Sequence, residues 1–192
     1  MTLQSKRYRN MEFVPLMLEL IHLYEPETYV EIGTQKGYTF NQVAQMPQVK
    51  RAIGVDIKIE KTVLKSRYKT ELYEMTSLEF AKMWTSPIDL LFIDGDHYWQ
   101  SVLADFRALA PFVPCGHGLI LLHDTHPATE NLMQEGYCHN AWRAALEIHE
   151  ATEFRDYEIV TLPGPYAGLS IIRKVHEGHL AWRSGKWLDA QH

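Results

Sequence analysis

Cysteine is scarce in this chain, and long apolar runs and a strong charge excess are missing altogether. Only Cys115 and Cys138 occur in 192 residues, in no metal-ligand or redox spacing, so neither a disulfide framework nor a zinc motif is indicated. That usage fits a reducing compartment, and the cytoplasm is the expected location. No stretch approaches 18 consecutive apolar residues, which argues against a membrane-spanning helix. The opening MTLQSKRYRN is polar and basic. The helix after it carries Pro15, Glu19 and His22 where a secretory leader has an apolar core and a small-residue cleavage site. Net charge is −5, so no broad attraction to nucleic acid or to anionic membrane is expected. One local exception, Lys58, Lys61, Lys65, Arg67 and Lys69 opposed only by Glu60, reads either as a solvated helix face or as a patch for an anionic ligand. Repeats, low-complexity runs and Pro/Ser-rich linkers are also absent. Residues 1–192 therefore read as a single domain, with an N-terminal helical segment up to residue 27 and a tail from residue 177.

What is present is an alternation of short apolar runs and helical stretches. Phe13, Leu16, Met17, Leu20, Ile21 and Tyr24 recur at helical spacing, with Pro15 tolerable in the first turn. Strands are expected at Tyr29 to Ile32, Arg51 to Asp56, Glu71 to Glu74, Leu90 to Ile93 and Leu119 to Leu122. Helices are expected near 38–45, 60–68, 78–84 (with Ser77 as N-cap), 98–110 and 141–150. Two further strands near 157–161 and 168–173 flank Pro163-Gly164-Pro165 as a closing hairpin. Strands separated by helices of about ten residues make βαβ units and a mostly parallel α/β sheet with helices on both faces. Leu90-Leu91-Phe92-Ile93 and Leu119-Ile120-Leu121-Leu122 are apolar throughout, as strands covered on both faces should be. Ligands in such sheets bind beyond the carboxyl ends of the strands.

Those ends are rich in chemistry. The first strand runs into Glu31-Ile32-Gly33-Thr34-Gln35-Lys36-Gly37, where Gly33 and Gly37 permit a sharp turn and close approach of backbone to a ligand. It is not the G-x-G-x-x-G dinucleotide fingerprint, which counts against a nicotinamide cofactor. The second strand ends at Asp56, an acid placed either to accept hydrogen bonds from the two ribose hydroxyls of an adenosine or to cap a helix. The fourth ends in Asp94-Gly95-Asp96-His97 and the fifth in His123-Asp124-Thr125-His126. Two clusters of acids and imidazoles directly after apolar runs point to function more than to capping.

The segments VEIGTQKGYTF, IGVDI, LLFIDGDHYWQSVLADFRALAPFV and GLILLHDTHP resemble the class I S-adenosylmethionine-dependent methyltransferases. They are most similar to the compact subgroup that includes cephalosporin-biosynthesis and macrolide-sugar O-methyltransferases, and more distantly to catechol O-methyltransferase. The resemblance runs from about residue 28 to 126. It implies a Rossmann-like, seven-stranded sheet ordered 3-2-1-4-5-7-6 with the last strand antiparallel. It also implies that Glu31, Gly33, Thr34 and Gly37 surround the methionine part of S-adenosylmethionine, that Asp56 with Ile57 holds the ribose, and that Met75, Thr76 and Ser77 lie at the adenine. The acid common in the family at that last segment is missing here. Asp94 and Asp96 would lie at the cofactor's amino end and the transfer site. In metal-dependent relatives the positions of Asp94, His123 and Asp124 hold a divalent ion such as magnesium or manganese, although a histidine at 123 departs from their pattern.

Methyl transfer to an oxygen needs the reactants aligned and the acceptor's proton removed, by an ion that lowers its pKa or by a positioned base. His97 and His123 are the candidate bases, with Asp94 beside them. His126 ranks third, His117 reads as a turn residue and His139 as a helix-start residue. The loop Thr125 to Asn140, the hairpin tip Pro163 to Tyr166 and the Trp182/Trp187 tail are candidates for acceptor selection. The expected partners are a small-molecule acceptor, such as a sugar or secondary metabolite, and a second copy of the chain. Two other classes stay open. A metal-dependent hydrolase on Asp94, His123, Asp124 and His126 would have no use for the glycine loop and Asp56. A cofactor-binding module without catalysis would not be expected to keep so many acids and imidazoles on strands four and five.

Overall fold

A computed structural model describes residues 13–63, 69–164 and 166–175. Seven strands form one sheet in the order β3-β2-β1-β4-β5-β7-β6. They are β1 (Thr28–Ile32), β2 (Arg51–Asp56), β3 (Thr70–Glu74), β4 (Leu90–Ile93), β5 (Leu119–His123), β6 (Tyr157–Leu162) and β7 (Leu169–Lys174). Pairings are parallel from β3 through β5, and β7 runs antiparallel between β5 and β6. This is the order and sense expected from the sequence. The helices are α1 (Val14–Tyr24), α2 (Phe40–Val43), α3 (Ser77–Met83), α4 (Trp99–Leu109) and α5 (Trp142–Glu150).

Alternate strand residues feed two cores. Val30, Ile32, Leu91, Ile93, Ile120 and Leu122 pack with α3, α4 and α5 through Phe80, Phe106 and Ile148. Tyr29, Phe92, Leu119 and Leu121 pack on the other face with α1 and α2, through Met17, Ile21 and Phe40. The central strands β4 and β5 are buried along their whole length, which is why their sequences do not alternate.

Several local expectations shift. The buried stripe of α1 is Phe13, Val14, Met17 and Ile21, whereas Leu16 and Tyr24 face solvent. The helix expected over 38–45 shrinks to the four residues of α2. After it, Gln45 N–H reaches Gln42 O and Met46 N–H reaches Val43 O, three-residue bonds that wind the chain tighter ahead of Pro47. Residues 60–63 form turns, and the rest of the helix expected there, with Lys65 and Arg67, lies outside the described residues, as does the tail from 177. The α3 N-cap is Thr76, not Ser77. Thr76 Oγ1 accepts the Glu79 N–H (3.2 Å) and the Glu79 carboxylate accepts the Thr76 N–H (3.0 Å), a reciprocal capping box. Among the described residues no helix is long and apolar enough to cross a membrane.

Candidate active site

The carboxyl ends of β1, β2, β4 and β5 open into one cavity of about 1120 Å³. It lies at the upper end of small-ligand pockets, which run to roughly 1,000 Å³. Its floor is made where β1 and β4 touch. Gly33 has φ +92°, and a Cβ there would lie 2.1 Å from the Asp94 carbonyl oxygen. Only glycine lets the two strand ends close in this way. Thr34 follows, buried, with its Oγ1 donating to Glu31 O (3.3 Å), in space left by Gly54 on β2. Gly37, expected in the same loop around a ligand, is not on the cavity wall; at φ +71° it turns the chain against Asn41 and Val63.

Glu31 is buried at the inner wall, where the Tyr29 hydroxyl donates to its carboxylate. Burial pushes the Glu31 carboxyl well above the usual range against that hydrogen bond, and the negative charge of Asp94 adds to the rise. Asp56 lines the cavity at the end of β2. Its Oδ2 accepts the Gln35 N–H (2.8 Å) and its Oδ1 the Lys58 N–H (2.9 Å), so it ties the β1 loop to its own. Each oxygen retains a second acceptor position for a ligand hydroxyl. Ile57, beside it, is 75% exposed on the cavity rim. Met75, Thr76 and Ser77 line the β3 end.

At the β4 and β5 ends the expected residues converge. Ligand atoms of Asp94, His123 and Asp124 all lie within 4.8 Å of one another. His123 Nδ1 is 2.8 Å from Asp94 Oδ1 and 3.5 Å from Asp124 Oδ1, with its ring held 4.2 Å from that of Phe13. His97 Nδ1 is 3.0 Å from Asp124 Oδ2 and also bonds the Tyr137 carbonyl oxygen. A carbonyl only accepts, so this Nδ1 carries the hydrogen and Nε2 is the basic nitrogen of the neutral ring. Asp124 itself has φ +60°, a left-handed turn that a non-glycine residue holds at a cost of roughly 1–3 kcal/mol. Asp96 stands exposed on the rim, where it accepts from the Tyr98 N–H and the Ser101 hydroxyl at the start of α4.

The outer wall comes from the two segments expected to select the acceptor. Leu132, Gly136, Tyr137 and Cys138 from the loop after β5, and Tyr166 from the hairpin tip, all line the cavity. The two segments are joined by backbone bonds from His126 N–H to Ala167 O and from Ala128 N–H to Tyr166 O. His126 does not line the cavity. His117 sits in a turn, as expected, and His139 precedes α5 at φ +46°, its ring 4.3 Å from that of Tyr98. Sequence reasoning missed Asp105, a buried acid on the α4 wall that reads in isolation as part of a solvated helix face. The detectable signal was spacing, since Gln100, Ser101, Ala104 and Asp105 share one helical face and all line the cavity.

A family model described as a methyltransferase domain matches residues 30–125. An uncharacterized protein of Acanthamoeba polyphaga mimivirus is 34% identical over 113 residues, 50% of this chain and 51% of that protein, so the chain spans about half the length of this curated relative. Among solved structures, an O-methyltransferase from Bacillus cereus in complex with SAH superposes with a TM-score of 0.63 at 15% identity, covering 86% of this chain and 80% of that one. The MycE methyltransferase of the mycinamycin biosynthetic pathway, in complex with Mg, SAH and mycinamycin VI, gives 0.61 at 18% identity, over 85% of this chain and 50% of that one.

Proposed function

We propose that this chain, which belongs to the methyltransferase-domain family, uses S-adenosylmethionine to methylate a hydroxyl oxygen of an uncharged small molecule, with His97 as the base. The observation that carries the reading is the His97–Asp124 pair on the same cavity wall as the glycine loop and Asp56. S-adenosylmethionine, when bound, supplies an electrophilic sulfonium methyl. Glu31, Gly33 and Thr34 would shape the inner end of its site, Asp56 would accept from its ribose, and Asp94 would hold its ammonium. His97 Nε2 would accept the proton of an acceptor hydroxyl held beside it, leaving an oxygen nucleophile for that methyl. Asp124 acts as a positioning residue, holding the tautomer and stabilising the imidazolium that forms.

Charge supports the substrate class. Among the described residues, the cavity wall carries Asp56, Asp94, Asp96, Asp105 and Asp124, besides the buried Glu31 whose carboxyl is pushed up, against one lysine, Lys36. Such a wall complements a sulfonium and repels phosphates and carboxylates. Tyr137 and Tyr166 on the outer wall offer ring faces to a sugar or aromatic acceptor. The test is calorimetry with S-adenosylhomocysteine, followed by its release from S-adenosylmethionine in a panel of neutral glycosides and phenols. Binding of NAD or ATP in its place would overturn the reading.

A second reading rests on the Asp94, His123 and Asp124 group. Two carboxylates and an imidazole that converge this closely fit a divalent ion, with the nitrogen favouring manganese, iron or zinc over magnesium. An ion there would lower the pKa of the acceptor hydroxyl. His123 must give up its Nδ1 proton to serve that set, which sets the ion in competition with the present Asp94–His123 bond. Titration calorimetry with manganese chloride on the parent and on Asp94→Asn decides this reading.

A further inference from the structure

We propose that Asp105, presented by Ser77, is the residue that reads the six-position of the cofactor's purine, taking the place of an acid that the β3–α3 segment lacks. The proposal rests on the S-adenosylmethionine reading above.

Asp105 is 6% exposed, yet it lies on the cavity wall. Its Oδ1 accepts the Ser77 hydroxyl, its one side-chain hydrogen bond among the described residues. Among the described residues no hydrogen bond reaches Oδ2, which is open to the cavity and not sealed in protein. A mostly buried carboxylate with one oxygen left open takes its partner from the accessible side, and that side is the cavity. The place is the right one for a base. Sheet order sets the β3 end beyond β2, so a ribose at Asp56 extends its purine toward Met75, Thr76 and Ser77. Beside these, bonded to Ser77, stands the α4 face carrying Ala104 and Asp105. Ile57, apolar and exposed on the rim, provides a flat contact for the ring.

The chemistry also selects. Adenine offers an exocyclic N6 amino group, a donor that a carboxylate oxygen accepts. Hypoxanthine offers a carbonyl oxygen at the same position, which faces the carboxylate with like partial charge. Because Thr76 is occupied by the capping box, Ser77 is left to hold Asp105. Burial pushes the Asp105 carboxyl up to about 6, against the Ser77 bond and with help from Asp96, so at neutral pH it is mostly the acceptor form.

The experiment is calorimetry on the full chain at pH 7.5 with two probes, S-adenosylhomocysteine and S-inosylhomocysteine. Loss of one hydrogen bond to a charged group corresponds to roughly a ten- to hundredfold change. The parent should therefore prefer the adenosyl ligand by at least about tenfold. Asp105→Asn, whose amide can donate to the hypoxanthine carbonyl, should bring the ratio to about one or reverse it. Asp105→Ala should weaken only the adenosyl ligand. A parent ratio near one overturns the proposal without any variant. So does an unchanged ratio in folded Asp105→Asn and Asp105→Ala, which would leave Asp105 as a tie between α3 and α4. Failure of the parent to bind either ligand would instead overturn the cofactor reading, and this proposal with it.

Discussion

Gly33→Ala tests the closure on which the whole site depends. Two costs are separable there. The first is conformational: φ is +92°, and an L side chain in that region costs roughly 1–2 kcal/mol. The second is steric. The added Cβ would lie 2.1 Å from Asp94 O, 2.5 Å from Asp94 C and 2.6 Å from Gly95 Cα, all backbone atoms that no rotamer change can clear. Overpacking of this kind costs about 1–3 kcal/mol. The two together come to about 2–5 kcal/mol, or roughly 4–20 °C of melting temperature for a chain of this size. Gly116 provides the internal control. Its φ is +89° and a Cβ there meets nothing within 4 Å, so Gly116→Ala carries the conformational cost alone. Gly54→Ala is the complementary control, since its backbone is not left-handed and the atoms nearest an added Cβ belong to side chains, those of Thr34 and Leu72 at 2.8–3.0 Å, so it carries a steric cost alone. Thermal melts of the three variants should rank Gly33→Ala as the most damaging by several degrees, with S-adenosylhomocysteine affinity falling in the same variant. Equal melting temperatures for Gly33→Ala and Gly116→Ala would refute the contact between β1 and β4 that shapes the cavity floor.

Four other measurements bear on the site. Asp56→Ala should weaken S-adenosylhomocysteine binding in calorimetry by about 1.5–3 kcal/mol, the value of hydrogen bonds to a charged group, and raise protease sensitivity near Gln35 and Lys58, whose N–H groups it anchors. His97→Ala should lower kcat by on the order of 10²–10⁴ with cofactor affinity unchanged; a loss of affinity without a loss of kcat would move His97 out of the base role. Activity that collapses in chelator and returns with manganese would replace the base reading with the ion reading, whereas persistence in chelator is the expected result. Asp105 gives a pH signature. Its folded pKa of about 6 lies above the ordinary 3.8, so the fold binds this proton more tightly than the unfolded chain does, and stability rises as pH falls from about 6 toward 4. Between pH 7.5 and pH 5 the gain is about 1–1.5 kcal/mol, seen as a shift in urea midpoint that Asp105→Asn should lack.

The strands were legible because central parallel strands carry an unambiguous signal. Four consecutive apolar residues ended by an acid, as in Leu90-Leu91-Phe92-Ile93-Asp94, leave little choice of element or of boundary. The short helix α2 was overestimated because periodicity does not report when a chain tightens into three-residue turns. At α3, Thr76 and Ser77 are both good caps by type, and only the position of Glu79 three residues after Thr76 decides between them. Strand-end residues of the site were readable for the same reason as the strands. Helix-face residues were not, because Asp105 in QSVLADFRAL has the composition of a solvated turn until α3 is packed beside it.

Two of the positions where local backbone preference is overridden fall at the site itself. Left-handed backbone at Gly33 and at Asp124 closes the ends of β1 and β5, the two strands that flank β4 and its Asp94. Glycine removes the penalty at the first position; at the second an aspartate bears it, and its carboxylate thereby reaches both His97 and His123. A glycine or asparagine at 124 would relieve strain or keep the turn but would lose the charge that both imidazoles share. Keeping the strained acid makes sense if that charge is used when a proton arrives on one of the rings. Asp124→Asn therefore separates the two demands. It should leave the melting temperature within a few degrees of the parent, because asparagine tolerates the same turn, while reducing turnover as severely as loss of His97 itself. Full activity in folded Asp124→Asn would show that neither histidine depends on this carboxylate, and the base reading would fall with it.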